Sequence, residues 1–431
     1  MQSFPIEAEY PINFRKDFAQ KLGNHIKNHH SVNLIGMRRV GISNFLRFFL
    51  NHKEISKVYI NDDKNHLFIA VDLNDLVERE LYPFWVLVLK RIIDYSKESL
   101  LPNKVKGQLE NIFLDCIQSK DLLLTIDGIK KSLNLIISSG FIPTLFLIRF
   151  DRLKDVVTPE FLFNLEGLKD ATHNKLSFIF TAFRSLDNLD EERLNRVSLA
   201  LVDNEIYLSI AEKSDLEIVY QGFKKHTKIN FSPVLKNTLF NLVGGYIQYL
   251  NLALINIHQS DKKISSSTLL GKKLMEDDRI KLQSEELWES LNESEQKTLI
   301  KINRNEKVSK EDQQTNKYLW ETGIINSNNM IFSSLFEGFL NSLVLEKSAN
   351  GNLEFSKKEH TLFKYLKDNL DQICDRESII ESVWPEEEEL GVSDWAIDRL
   401  ISRVRSKLKL QESAFEILTI KTRGFKLAQR D

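Results

Sequence analysis

The chain has 431 residues, 42% hydrophobic and 28% charged, which fits an ordinary soluble globular protein of about three or four domains. No apolar run reaches the roughly 18 residues of a membrane span, the opening MQSFPIEAEYPINFRKDF lacks a signal-peptide pattern, and Cys116 and Cys374 show no CxxC spacing for a disulfide framework or zinc site. A net charge of −2 decides nothing about nucleic acid because the charges are unevenly placed: Gly391 to Asp431 holds nine Lys and Arg against five Asp and Glu, just after the acidic run WPEEEE.

Residues 31–36, SVNLIG, predict a buried strand, and ISNFLRFFLNH predicts the helix that follows. The order then repeats. HLFIAVDLNDL predicts a second strand, YPFWVLVLKRIIDYSKESL a helix, FIPTLFLIRFD a third strand and KLSFIFTAFR a fourth. Short apolar strands alternating with helices predict a parallel sheet covered on both faces, an α/β domain over residues 1–210. The adjacent His29 and His30 point apart on a helix and make no ligand pair. Helical spacing around VGGYIQYL predicts a small helical lid over residues 211–260, and the polar stretch of 261–283 reads as a linker. Residues 284–345 predict a compact helical unit ending in a hairpin, GIINSNNMIFS, in which Asn328 and Asn329 suit a tight turn. The block 350–431 reads strand, helix, helix, helix, hairpin.

The loop after the first strand can be compared with the phosphate-binding pattern G-x-x-x-x-G-K-[ST]. Gly36, Gly41 and Ser43 are in register, and Ile42 stands at the lysine. In such a loop the glycines let backbone N–H groups curl round phosphate, the lysine neutralises the β- and γ-phosphates, and the hydroxyl ligates magnesium. Isoleucine supplies no charge. With Arg38 and Arg39, the stretch resembles the archaeal Orc/Cdc6-like and STAND-like P-loop ATPases, whose loop reads G-x-R-R-x-G-K-[ST]. FIAVDLNDL resembles their second strand, and LVGGYIQYL their lid signature G-G-x-P-Y, with Ile247 at the proline.

In that family the third strand closes D-E-F-D-R-L. Here it closes LIRFDRL, which places Ile148 and Arg149 where the magnesium-organising aspartate and water-activating glutamate sit. A shifted register would use Asp151 but lengthens the strand. Phosphoryl transfer depends on Mg²⁺, Lys and an oriented water, so these losses imply a pseudo-ATPase. Gly36, Arg38, Arg39, Gly41 and Ser43 remain candidates for holding ATP or ADP without hydrolysis, since a helix N-terminus binds anions.

In the last block, Ile397, Ile401, Val404 and Leu408 form one apolar stripe of a helix. Trp395, Arg399, Ser402, Arg403 and Ser406 fall on the opposite face by this spacing, with Arg405 and Lys407 at the flanks, and Ser393 or Asp394 can cap the helix. A basic, hydroxyl-bearing helix face fits a major groove, and the hairpin TIKTRGFKL offers Lys421 and Arg423 as a wing. LEFSKKEHTLFKYLKDN, SIIESVW, VSDWAIDRLISRVRSKL and ILTIKTRGFKL together resemble the OmpR/PhoB-type winged-helix DNA-binding domain. The resemblance implies DNA contacts at Ser402, Arg403, Arg405 and Lys421. Where that family usually carries arginine and histidine, this chain has Ser402 and Leu400, so no target sequence is inherited. The unit 284–345 resembles a second, divergent winged helix without a comparable basic face, and reads as a packing module.

The expected architecture is therefore multidomain: a P-loop NTPase-like α/β domain with a helical lid, followed by two winged-helix domains. The expected function is binding of double-stranded DNA in transcription regulation or DNA-targeted assembly, in the cytoplasm at the nucleoid, with ATP or ADP held without hydrolysis as the one cofactor the residues leave open. Two alternatives stand beside it: a nucleotide-binding switch of the STAND kind, and an NLR-like defence scaffold whose last domain binds a protein. RNA polymerase is a candidate partner for the acidic loop PEEEEL, against a plain solvated loop.

Overall fold

A computed structural model describes residues 5–154, 156–186, 204–227, 231–259, 266–349, 355, 357–384, 394–410, 413–420 and 423–429; of His226, residues 344–349, Lys357, Asp394, Trp395, Ser406, Lys409 and Leu410 it describes the backbone alone. The chain forms two compact units, Met1–Leu340 and Asn341–Asp431. Among the described residues no helix is long and apolar enough to cross a membrane. Cys116 and Cys374 are both buried free thiols.

In the first unit, helix α1 (Lys16–Lys27) buries Ala19, Leu22, Gly23 and Ile26 on one stripe. Strand β1 (Val32–Ile35) leads through the loop into α2 (Ile42–Asn51), whose Phe45, Leu46, Phe48 and Phe49 are all buried. Strand β2 (Asn65–Asp72) is followed by three helices, α3 (Leu81–Glu98), α4 (Asn103–Ser119) and α5 (Leu122–Ser138). Strand β3 (Phe141–Ile148), helix α6 (Pro159–Ala171), β4 (Ser177–Ala182) and the short β5 (Glu205–Tyr207) complete the sheet. All neighbours are parallel and the order is β2-β3-β4-β1-β5, so β4 separates the loop-bearing strand from β3. Alternate residues of the strands serve the two faces, as the period of two requires. Leu145 and Leu147 join α3, α5 and α6 in one core, while Phe146 meets Phe49 of α2 and Phe68 on the other face. The sequence reading did not separate α4 and α5 as helices or find β5, whose three residues are too few to show a period.

Helices α7 (Lys213–His226), α8 (Pro233–Val243) and α9 (Ile247–His258) follow, with VGGYIQYL running from the end of α8 into α9. Gly244 ends α8 at φ 58°, and a Cβ there would collide with the Phe332 carbonyl, so a glycine is required for packing as well as for the turn.

The described part of the stretch that reads as a linker carries two helices, α10 (Ser267–Glu276) and α11 (Asp278–Glu289). Ser266 and Asp277 cap the two helices, and Leu270, Leu274 and Ile280 turn inward. The polarity that suggested a linker belongs to the solvent face of short helices, whose stripe is too sparse to stand out. Helices α12 (Glu293–Asn303), α13 (Lys310–Thr315) and α14 (Lys317–Glu321) lead to a narrow antiparallel bridge, Ile325 opposite Ile331, and to α15 (Ser334–Ala349). The turn of that hairpin falls on Asn328 and Asn329, with Asn329 at φ 56°. Asn326 Oδ1 accepts the Asn328 and Met330 N–H groups.

The second unit contains α16 (Lys357–Asp368), α17 (Arg376–Val383), α18 (Asp394–Leu410) and an antiparallel hairpin, β6 (Phe415–Ile420) with β7 (Gly424–Gln429). Leu362, Leu366, Ile379, Trp384, Ile397, Ile401, Val404, Leu408, Phe425 and Leu427 form its core. The expected first strand near Asn350, the acidic loop 385–390, the cap at Ser393 and the wing residue Lys421 lie outside the described residues.

Candidate nucleotide edge and nucleic-acid interface

The loop of residues 36–41 leaves β1 at the carboxyl edge of the parallel sheet, where ligands of open α/β sheets bind. It turns tightly, with Val40 N–H donating to Met37 O at 3.2 Å, and Gly41 starts α2 at φ 109°. A Cβ on Gly36 would stand 3.0 Å from a Val40 methyl and 3.1 Å from Ile42 Cδ1, and one on Gly41 would stand 2.8 Å from Ile247 Cδ1 at the start of α9. Ser43 is exposed on the first turn of α2.

Two loop carbonyls are held from outside. Arg38 O accepts from Tyr246 Oη at 2.6 Å, and burial raises the Tyr246 pKa far enough to keep this phenol protonated as a donor. Val40 O accepts from Arg15 Nη2 at 3.3 Å. Arg15 is itself buried, lies against Asp215, and donates to Ser209 O at 2.9 Å; burial lowers its pKa to about 10 against the opposing charges of Asp215 and Glu212.

The loop's two arginines converge on one carboxylate of α11. Arg39 Nε donates to Glu286 Oε2 at 2.8 Å and Arg38 Nη1 lies 3.6 Å from Oε1, with Gln283 donating to Glu286 at 3.1 Å. The Glu286 side chain is 7% exposed and the arginines about two-fifths. A second clasp lies at the end of β4: Arg184 donates to both oxygens of buried Glu295 at 2.6 and 2.8 Å and to Ser290 O at 2.6 Å, over the Tyr318 ring at 3.8 Å. Burial opposes the Arg184 charge, but Glu295 holds its pKa above the ordinary value.

At the end of β3 the ladder with β2 stops at Ile148, opposite Asp72. Arg149 leaves the strand at φ 62°, its N–H donates to Thr181 Oγ1 at 2.8 Å, and its guanidinium pairs with Asp72. Asp151, the alternative of the shifted register, lies beyond the strand in the turn Phe150–Leu153. Burial raises its carboxyl pKa, against the pull of its own backbone hydrogen bond and of Arg38, Arg152 and Arg149. Among the described residues no three His, Cys, Asp or Glu side chains are grouped to hold a metal ion.

In the second unit, the buried arc of α18 is wider than the four-residue stripe predicts. Ala396 and Leu400 are buried as well, 4% and 5% exposed, which rotates the core side toward Arg403 and Lys407. Arg403 therefore does not stand opposite the stripe. Its Nε donates to Glu359 Oε1 at 2.8 Å, and Lys407 Nζ donates to Glu359 Oε2 at 2.6 Å, across the seam with α16. On the other flank Arg405 donates to Ile417 O at 2.7 Å and Thr419 Oγ1 at 2.8 Å, tying the helix to β6. Ser402 is exposed and Arg399 half-buried. Arg423 is exposed at the hairpin turn, and Trp395 lies in the first turn of α18. Arg376 at the start of α17 pairs with Asp398 of α18 at 2.6 Å. Sequence reasoning missed Glu286, Glu295 and Glu359, because a glutamate in a polar helix reads as solvated and only the partner across the seam reveals its role.

Residues 350–427 match the family described as "Transcriptional regulatory protein, C terminal". The second unit is such a domain, of the OmpR/PhoB type, and the first is built on a five-stranded parallel sheet. Solved structures similar to the chain include a Walker-type ATPase of Pyrococcus abyssi, at 16% identity and TM-score 0.49, covering 76% of this chain and 95% of that one. The Aeropyrum pernix ORC2 protein in ADPNP–ADP complexes gives 15% identity and TM-score 0.47 over 95% and 99%. Cdc6p from Pyrobaculum aerophilum gives 13% and 0.37 over 80% and 97%. No curated protein matches the chain.

Proposed function

We propose that the chain is a DNA-binding transcription regulator whose ATPase-like unit is a hydrolysis-dead scaffold. The observation that carries the DNA reading is the match of residues 350–427 to transcriptional regulatory C-terminal domains, in a unit where α18 exposes Ser402 and the hairpin turn exposes Arg423. On this reading α18 enters the major groove, where Ser402 and Arg399 meet base edges, and Arg423 on the wing holds phosphate. Arg405 sets the angle between helix and wing through Ile417 O and Thr419.

The scaffold reading is supported by the chemistry at the carboxyl edge of the first sheet. Ile42 stands where a cation would neutralise phosphate, and β3 ends on Ile148 and on Arg149 paired with Asp72. A guanidinium at that place does not fit Mg²⁺, and no step is assigned to the metal. The two glutamate clasps instead hold this edge to α11 and α12. A second reading, a switch that holds ADP or ATP without turnover, is favoured by one feature: Gly41, at φ 109°, opens α2 directly after the loop, and a helix N-terminus can hold an anion.

The test uses the full chain. Selection from random duplexes should enrich one motif, with affinity falling steeply as salt rises. Phosphate release from Mg·ATP should stay at background, and Ile42→Lys alone should leave it there, because the acidic positions are still missing. Turnover of about 1 per second, a common enzyme rate, sinks the scaffold reading. A measurable heat of ADP binding by titration calorimetry selects the switch.

A further inference from the structure

We propose that Glu359 is a positioning residue that limits how much positive charge α18 offers a duplex, keeping Arg403 and Lys407 out of the phosphate contacts. The inference rests on the DNA-binding reading above. Its basis is geometric: the Glu359 side chain is fully buried on α16, and its two oxygens are taken by two cations four residues apart on α18, at 2.8 and 2.6 Å. A buried carboxylate is stable only when paired, and here the pairing fixes the seam between two helices.

The two cations are partly exposed, at 29% and 24%, so they border the surface that faces solvent. A phosphate approaching either one must compete with a carboxylate already in contact, in surroundings less polar than water. The clasp therefore persists in the complex. Two of the basic residues of α18 contribute orientation instead of counterion release, and non-specific attraction falls while the reading face of Ser402 keeps its place. The residues flanking Glu359 along α16, Lys358 and His360, are basic as well, and so is Arg399, one turn before Arg403 on α18.

The experiment measures the dependence of duplex affinity on salt for the full chain, on a selected site and on a scrambled duplex. Glu359→Gln should steepen the slope by about 1.8, since each phosphate neutralised adds about 0.9, and should strengthen scrambled binding more than specific binding. Lys407→Gln should leave the slope unchanged when Glu359 is present and flatten it by about 0.9 in the Glu359→Gln background. An unchanged slope in a folded Glu359→Gln chain overturns the proposal, as does a slope flattened by Lys407→Gln alone. If Glu359→Gln fails to fold, Lys407→Gln and Arg403→Gln in the otherwise unaltered chain decide it by the same slope. Should the unaltered chain bind no duplex, the DNA reading falls and this inference with it. If it binds and Lys407 counts among its phosphate contacts, only this inference falls.

Discussion

The loop after β1 and the helix α18 look alike in sequence, each offering adjacent or near-adjacent cations where a phosphate-bearing ligand is expected. Both are caught by one buried glutamate from a neighbouring helix, Glu286 for Arg38 and Arg39, Glu359 for Arg403 and Lys407. What differs is the surface left over. At the loop, Ile42 and Ile247 lie beside the glycines, and the end of β3, two strands away in the sheet, carries Arg149 on Asp72. On α18 a separate face carries exposed Ser402, so pairing one flank does not close the helix. A motif's charges count toward binding only after internal partners have been subtracted, and on the proposed reading the same kind of pairing ties down the loop edge while it orients α18.

The largest expected effect tests how firmly the loop edge is held. Arg15→Ala leaves Asp215 buried beside no guanidinium and frees Val40 O, which should cost the first unit about 3 to 5 kcal/mol by urea denaturation. A loss under about 1 kcal/mol would mean that the loop does not depend on this anchor. Glu286→Ala should cost less, about 1 to 2 kcal/mol by the same assay, because Arg38 and Arg39 are exposed enough to be rehydrated. If the cost equals that of Arg15→Ala, the clasp bears more of the unit than its exposure suggests, and the contrast with α18 weakens.

The smallest effect concerns Asp277, which caps the helix that carries Glu286. Burial alone raises its carboxyl pKa, but Arg279, Asn256 and the Ile280 N–H outweigh burial and lower it below the usual carboxylate value. A carboxyl depressed on folding adds stability above its unfolded pKa of about 3.9 and loses it as pH falls through the folded value. The melting midpoint of the unaltered chain should therefore drop as pH falls below about 4. The Asp277→Asn chain should start lower and lose less over the same range. Parallel acid limbs for the two proteins would remove Asp277 from the account.

Much of the architecture was legible because it rests on local pattern. Four buried apolar runs marked β1 to β4, the glycines at 36 and 41 marked a phosphate-type loop, and the 4-3-4 spacing from Ile397 to Leu408 marked α18. Such signals repeat within one element and need no partner to be recognised. The sparse helices α10 and α11 escaped, since Leu270, Leu274 and Ile280 among polar neighbours leave too few apolar positions to set a period. Composition and spacing thus determined the strongly patterned elements, the glycine-bearing loop and the isoleucine at position 42 within it. Which arginines meet a carboxylate was decided only in three dimensions, because Arg39 and Glu286 stand 247 residues apart, and Arg403 and Glu359 stand 44 apart. An ion pair across such separations leaves no periodic trace in the chain, and burial makes it strong enough to decide which side chains remain available to a ligand.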